Sequence, residues 1–504
     1  MRTVFVLFDS LNRLALGAYG GDAIATPNFD RFGARSVTFD NHYVGSLPCM
    51  PARRDMHTGR LNFMHRSWGP LEPFDNSMPE MLGNAGVHTH LISVHFHYFE
   101  DGGSTYHSRY KTWEFIRGQE YDPWVAMVQP PLDRFKAMYS DKHYNVPTEP
   151  KRLQHQINRE KIVDEAQFPG PRCFAQAFEF LDRNRDADNW MLHLECFDPH
   201  EPFHAPEKYK DAYRTNYEGA ILDWPKYAPV KENEAEIAEI RANYAALVAM
   251  CDAYFGRLLD YFDAHDMWKD TCLILTTDHG FLLSEHDWWG KNLTPYYEEI
   301  SHIPLMVHHP ELSERAGTRC AALTQTTDLM PTLLEIHGLQ APAEVTGHSV
   351  LASLRGEAKH DAVAFGMFGG PIGITDGEYS YFLYPEDLFN EQLGEYTLMP
   401  LHMKGFFDLK ELATGTPALP FDFTKGVHLI RYDALNEARR PPGLDGTKFD
   451  PFQTAIFHNK IDPNQLCPIR DARLEAQFNA QIRAILARHD APQEFNSWMG
   501  LNAQ

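Results

Sequence analysis

The chain has 504 residues, 43% hydrophobic and 23% charged, a balance that fits a globular protein with a large core and weighs against a fibrous or disordered one. No apolar run approaches the roughly 18 residues of a membrane span, which argues against a membrane partner. A formal net charge of −23 argues against nucleic acid, because binding phosphates needs a basic surface, and it leaves the attraction of any anionic substrate to a local cationic site.

The opening "MRTVFVLFDS" places a short β-rich run at Val4–Phe8 before Asp9, and it reads as a buried first strand, not a secretory leader. A helix near Thr26–Ala34, a strand around Val37–Tyr43, a helix from about Pro51, another at Met78–Asn84 and the strand "VHTHLIS" follow. This alternation predicts a parallel sheet with helices on both faces, an α/β fold. Residues 101 to about 170 break the rhythm with many aromatic residues and scattered prolines, and read as an insertion over the sheet edge. There Tyr106, Tyr110, Trp113 and Trp124, with Tyr98 just before them, either pack the insertion down or stack on a substrate ring; packing is the favoured reading for each.

The alternation resumes with the helix "CFAQAFEFLDRN", the strand "WMLHLECF", a long helix from Asn233 to His265 and the strand "TCLILTTD". The strand "IPLMVHH" and a helix over "DLMPTLLEIHGL", stopped by Gly338, come next. A boundary near 355 separates a catalytic domain, 1–355, from a smaller α+β domain, 356–504. The latter holds strands in "DAVAFGMF" and "GITDGEYSYFLYP", turned at Asp376-Gly377, and a helix around Ala472–Arg488. The terminal "FNSWMGLNAQ" is long enough to reach a neighbouring subunit, and a homo-oligomer is expected. Seven scattered cysteines with no C-x-x-C pair read as reduced thiols and a cytoplasmic protein.

Three strands end in polar residues: Asp9; Asp198 with His200; and Asp278 with His279. Ligands collect beyond the carboxyl ends of parallel strands, so these residues can meet there. A carboxylate closing an apolar strand is costly to bury unless it is paired or holds a cation, and two of them with His279 point to a divalent metal. Carboxylates favour Mg or Ca while the histidine admits Mn or Zn, so the metal stays open. "SEHDWWGK" adds His286 and Lys291, and "DPHEPFHAPEKY" offers His200 and His204 on a loop, where a histidine can act as general acid or base. Together these are tools for hydrolysing a tetrahedral anionic ester.

"CMPARRDMHTG" fits C-x-P-x-R-x-x-x-x-T-G on Cys49, Pro51, Arg53, Thr58 and Gly59, and so resembles the type I sulfatase signature. Asp9, "DPHEPF", "TTDHG" and "SEHDWWGK" follow that family's order, and the resemblance spans about residues 1 to 355. It implies an alkaline-phosphatase-like α/β/α sandwich with a mixed, mostly parallel sheet. It also implies that Cys49 is oxidised to formylglycine by a formylglycine-generating enzyme, which reads Pro51 and Arg53. The aldehyde hydrate then attacks sulfur, forms a covalent sulfate hemiacetal, and releases sulfate by restoring the aldehyde. Carried over by position, Asp9, Cys49, Asp278 and His279 hold the metal, Arg53 supports residue 49, Lys291 grips the sulfate and His200 protonates the leaving alcohol.

Some positions depart from the family pattern. Ser10 replaces the second aspartate of a common pair, which removes a charged ligand or leaves its place to Asn12. The "G-K-W-H" signature survives only as "VHFH", so His95 stands where a lysine grips the sulfate, and activity is expected to fall as His95 loses its proton. His97 is either a direct participant or a packed histidine. A phosphonate or phosphate ester hydrolase using the same site, and an inactive anion-binding protein with an unmodified thiol, are the alternatives. A small sulfate, phosphonate or phosphate ester is the expected substrate.

Overall fold

The computed structural model describes residues 1–145, 150–388, 393–434 and 453–501. Its centre is an eight-stranded sheet in the order Arg319–Gln325, Val37–Tyr43, Leu305–His308, Thr271–Thr276, Arg2–Phe8, Trp190–Cys196, His88–Ser93, Thr112–Phe115. Neighbours run parallel except at Leu305–His308, which is antiparallel to both strands beside it. The first strand lies mid-sheet, and its alternating side chains feed two cores. Val4, Val6 and Phe8 pack with Phe29, Phe174 and Phe255 from the helices Pro27–Gly33, Pro169–Arg183 and Glu234–Ala264. Phe5 and Leu7 pack on the other face with Met50, Leu82 and Leu333 from Cys49–Thr58, Met78–Asn84 and Leu329–Ile336. Burying each such phenylalanine is worth about 1.5–3 kcal/mol, which is why strands this apolar must be sandwiched.

A second sheet carries Ala455–His458, Tyr379–Leu383, Ile372–Thr375 and Val363–Met367, and Ser46–Leu47 completes it by pairing parallel with Val363–Met367. The boundary expected near 355 therefore does not separate the two sheets: the residues just before Cys49 are a strand of the later one. The hairpin turn at Asp376-Gly377 is present, with Gly377 at φ +88°, a conformation that favours glycine.

Two expectations change. The stretch 101–170 is not all insertion, because Thr112–Phe115 forms the sheet's edge strand. Tyr98, Tyr106 and Tyr110 are core residues, as the favoured packing reading has it, while Trp124 lies against Gly118 with Lys161 over its ring. Trp113 alone among the five is exposed. The terminal segment folds as a helix, Gln493–Trp498, and buries Phe495, Trp498 and Met499 in this chain's own core; residues 502–504 lie outside the described residues. Among the described residues, no helix is long and apolar enough to cross a membrane, and all seven cysteines are free thiols.

Candidate active site

Sheet register builds the site. Leu7 pairs with Thr276 and Phe8 with Cys196, so Asp9, Asp278 and the loop holding His200 leave the sheet side by side. Ser10 takes a left-handed backbone at φ +61°, costly for a residue with a Cβ, and several contacts hold it there. Its N–H donates to Asp278 Oδ1 at 3.2 Å, its hydroxyl donates to Asp9 Oδ1 at 2.8 Å, and its carbonyl accepts from Tyr244. Ser10 thus fixes both carboxylates without adding a third charge. Asn12 is not the missing ligand: its amide clamps Phe281, accepting from the backbone N–H at 2.7 Å and donating to the carbonyl at 2.8 Å.

The helix expected from Pro51 starts two residues earlier, at Cys49 itself, and ends at Gly59, whose φ of +68° suits a C-terminal glycine. Pro51 suits the first turn, where its missing N–H costs nothing, and all ten residues are buried. Cys49 therefore sits at a helix N-terminus, whose free N–H groups and partial positive charge favour an anion.

Arg53, one turn on, is 1% exposed and joins three carboxylates that are 0% exposed. It donates to Asp9 at 2.9 Å, to Asp278 at 2.7 Å and to Glu195 at 2.5 Å, and also to the Cys49 carbonyl at 3.0 Å. Burial opposes its charge, but Glu195, Asp278 and Asp9 together hold its pKa well above the usual value. Glu195 is in turn fixed by the hydroxyls of Ser93 at 2.7 Å and Tyr98 at 3.2 Å. Its signal in sequence was a lone acid inside the apolar strand Trp190–Cys196, which the reading of strand ends passed over.

Asp9, Cys49, Asp278 and His279 place one ligand-type atom each within 4.8 Å of one another. His279 Nδ1 donates to the Gly280 carbonyl at 3.0 Å, which turns Nε2 toward Cys49 Sγ at 3.3 Å and Asp278 at 3.3 Å. Burial and then Lys291 push its pKa down to about 3, so the ring is neutral. Two buried carboxylates, an oriented imidazole and the side chain of residue 49 suit a divalent cation, with the second contacts that metal-binding histidines need.

Lys291 reaches the same point, 3.6 Å from Cys49 Sγ and 3.2 Å from Ser10 Oγ. Gly290 lets it pass, since a Cβ there would lie 2.8 Å from the Tyr227 ring. Burial opposes the charge, but Cys49, Glu201 and Asp9 raise the Lys291 pKa. For Cys49 burial dominates, with Lys291 opposing, and the thiol is pushed well above its ordinary value.

His95 is fully buried and stacks on Phe197 with ring centroids 5.2 Å apart. Burial, then Arg53, His97 and His200, hold its pKa well below 6.5. The expected charged His95 is thus replaced by a neutral ring, which can offer one N–H but not a titrating cation. His97 is shifted the other way: burial works against its proton, but Glu100 and Glu120 on its two nitrogens outweigh that and raise its pKa. His286 stacks on Tyr297 and His204 packs tilted against Phe168, and neither belongs to the cluster. His200 lies close enough to the site for Lys291, Asp9 and His279 to act on its charge, and with it are grouped Glu201 and Glu120, with Tyr227 bonded to Glu201, three residues that carry no signal in the motifs.

A sequence model of the family described as Sulfatase matches residues 2–339. The chain is similar to the N-acetylglucosamine-6-O-sulfatase of Bacteroides thetaiotaomicron, 24% identical over 411 residues that cover 71% of this chain and 72% of that protein. It is also similar to the multifunctional alkaline phosphatase superfamily protein PehA of Trinickia caryophylli, 25% identical over 372 residues, 66% of this chain and 71% of that one. Among solved structures, the phosphonate monoester hydrolase of Agrobacterium radiobacter aligns with a TM-score of 0.64 at 16% identity, over 97% of this chain and 96% of that one. The fold is the alkaline-phosphatase-like sandwich.

Proposed function

The chain belongs to the sulfatase family and is a sulfuric ester hydrolase, and we propose that it works through a formylglycine made from Cys49, beside one divalent metal ion. The observation that carries this is the state of residue 49. As a thiol it is buried and held well above its usual pKa, which is the wrong setting for a thiolate nucleophile. Yet it sits at a helix N-terminus, 3.6 Å from Lys291, among the only four-membered group of metal-ligand side chains in the described residues. Such a position rewards an oxygen nucleophile and an anionic substrate, not a sulfur one.

Asp9, Asp278, His279 and the modified residue 49 would hold the metal, which would supply positive charge to the nucleophile and the ester oxygens. The chain's own residues do the rest. Arg53 fixes residue 49 through its carbonyl and keeps Asp9 and Asp278 in place. Lys291 and the helix N-terminus receive the ester's negative oxygens, and these preorganised donors supply the largest share of the rate. A neutral His95 adds one N–H, and His200 gives a proton to the departing alcohol. The hydrated aldehyde offers one hydroxyl to attack sulfur, and a second whose loss of a proton restores the aldehyde and frees sulfate.

Phosphonate and phosphate esters present the same charge and shape, and the similarity to PehA keeps them as a second reading. Assays of an aryl sulfate and phenyl phosphonate side by side decide: a higher kcat/KM on the sulfate supports the first reading, and a higher one on the phosphonate replaces it. The enzyme is proposed to act in the cytoplasm on small esters.

A further inference from the structure

A departing alcohol needs a proton, and the environment of His200 opposes carrying one: burial first, and then Lys291, hold its pKa well below the usual value. Its closest partner is the next residue. Glu201, 1% exposed, brings Oε2 within 3.2 Å of His200 Nδ1, and that nitrogen also donates to the Glu201 carbonyl at 2.5 Å. Nδ1 is thereby the nitrogen that keeps its hydrogen, and Nε2 is left for the substrate. The Tyr227 hydroxyl donates to Glu201 Oε1 and holds the carboxyl in place. Glu120 closes the far side: Glu120, His200 and Glu201 each set one ligand-type atom within 4.8 Å of the others. Oε2 of Glu120 also lies 3.4 Å from His97 Nε2, so Glu120 stands between the two histidines. Burial, with Glu120 adding to it and Lys291 opposing, lifts Glu201 to about 7.

We propose that Glu201, held by Tyr227, is the positioning residue that keeps His200 supplied with the proton it gives to the leaving alcohol. This rests on the sulfate-ester reading above. In the step, the bond from sulfur to the alcohol oxygen breaks, its electron pair stays on that oxygen, and the oxygen takes the proton from His200 Nε2. Glu201 faces Nδ1, so as a carboxylate it favours the imidazolium in which Nε2 has taken its proton from water; donation to the alcohol leaves a neutral ring beside the carboxylate, and water returns one proton before the next turnover. Of the groups facing the pair, Glu120 and Asp9 favour the extra proton and Lys291 opposes it, while His95 and His279 are neutral rings.

The test compares two esters on enzyme carrying the modified residue 49: 4-nitrophenyl sulfate, whose anion leaves unaided, and a simple alkyl sulfate, whose alcohol does not. Glu201→Gln should cost kcat/KM on the alkyl ester at least about tenfold more than on the nitrophenyl ester, the lower end of what acid catalysis supplies. Tyr227→Phe should show the same selectivity more weakly, Glu201→Asp should restore part of it, and Glu201→Gln should add little to His200→Gln. Equal losses on both esters would overturn the proposal, as would loss of a second bound metal equivalent in Glu201→Gln, which would make the cluster a metal site. If the unsubstituted enzyme hydrolyses neither ester, the sulfate-ester reading itself falls; if it hydrolyses both, a uniform loss in the variant overturns this proposal alone.

Discussion

Replacing Arg53 with methionine removes the guanidinium that joins Asp9, Glu195 and Asp278, all three fully buried. Breaking a buried ion pair by deleting one partner costs about 3–5 kcal/mol, because the remaining charge keeps its desolvation penalty. Unfolding entropy of about 2.1 cal/mol/K per residue, over 504 residues, comes to about 1 kcal/mol/K. The metal-free variant should therefore melt about 3–5 °C below the metal-free parent. A divalent cation held there would neutralise Asp9 and Asp278, so saturating metal should raise the variant's Tm by more than it raises the parent's. Scanning calorimetry on stripped and loaded samples measures both differences. A metal-free variant that melts within about 1 °C of the parent would refute the reading of Arg53 as the charge that makes this cluster tolerable.

Lys291→Ala should lower kcat/KM by about 10²–10³ with the fold intact, the usual effect of deleting one preorganised donor to a developing anion; unchanged kinetics would remove Lys291 from the site. Asn12→Ala loosens the clamp on Phe281 but deletes no ligand, so titration calorimetry should show metal binding weakened by less than about tenfold, the value of one hydrogen bond. A hundredfold loss would make Asn12 a ligand after all. His97 has its pKa raised above 6.5 in the folded state by Glu100 and Glu120 against the effect of burial. Its stabilising contribution is then complete below 6.5 and lost as pH rises through the raised value. The Tm gap between the parent and His97→Gln should be widest near about pH 6 and narrow toward about pH 9; a gap that widens with pH contradicts the assignment.

Strands such as Val37–Tyr43 and helices such as Met78–Asn84 and Ala472–Arg488 were legible because apolar periodicity there agrees with burial. Arg319–Gln325 was missed: as an edge strand it alternates exposed and half-buried residues before its buried end, and that pattern is weak without its partner. Ser46–Leu47 is a strand only because Val363–Met367 lies beside it, some 320 residues away, and no local pattern encodes that. Within the site, residue types at strand ends located Asp9, Asp278, His279 and His200, and the signature located Cys49 and Arg53. What sequence could not give is the protonation state. His95 and His97 are two residues apart, yet one has its pKa lowered against Phe197 and the other has it raised between two glutamates, a difference made by their neighbours. Glu120 and Glu201 likewise acquire meaning only when the fold sets them together.

The central claim concerns one side chain. Mass spectrometry of the peptide containing Cys49, from protein made in cells that supply the oxidising enzyme, measures it directly. An aldehyde at residue 49, captured by a hydrazide probe and present in the active fraction, is the expected result. A free thiol at residue 49 in fully active protein, open to alkylation once the chain is unfolded, would contradict it.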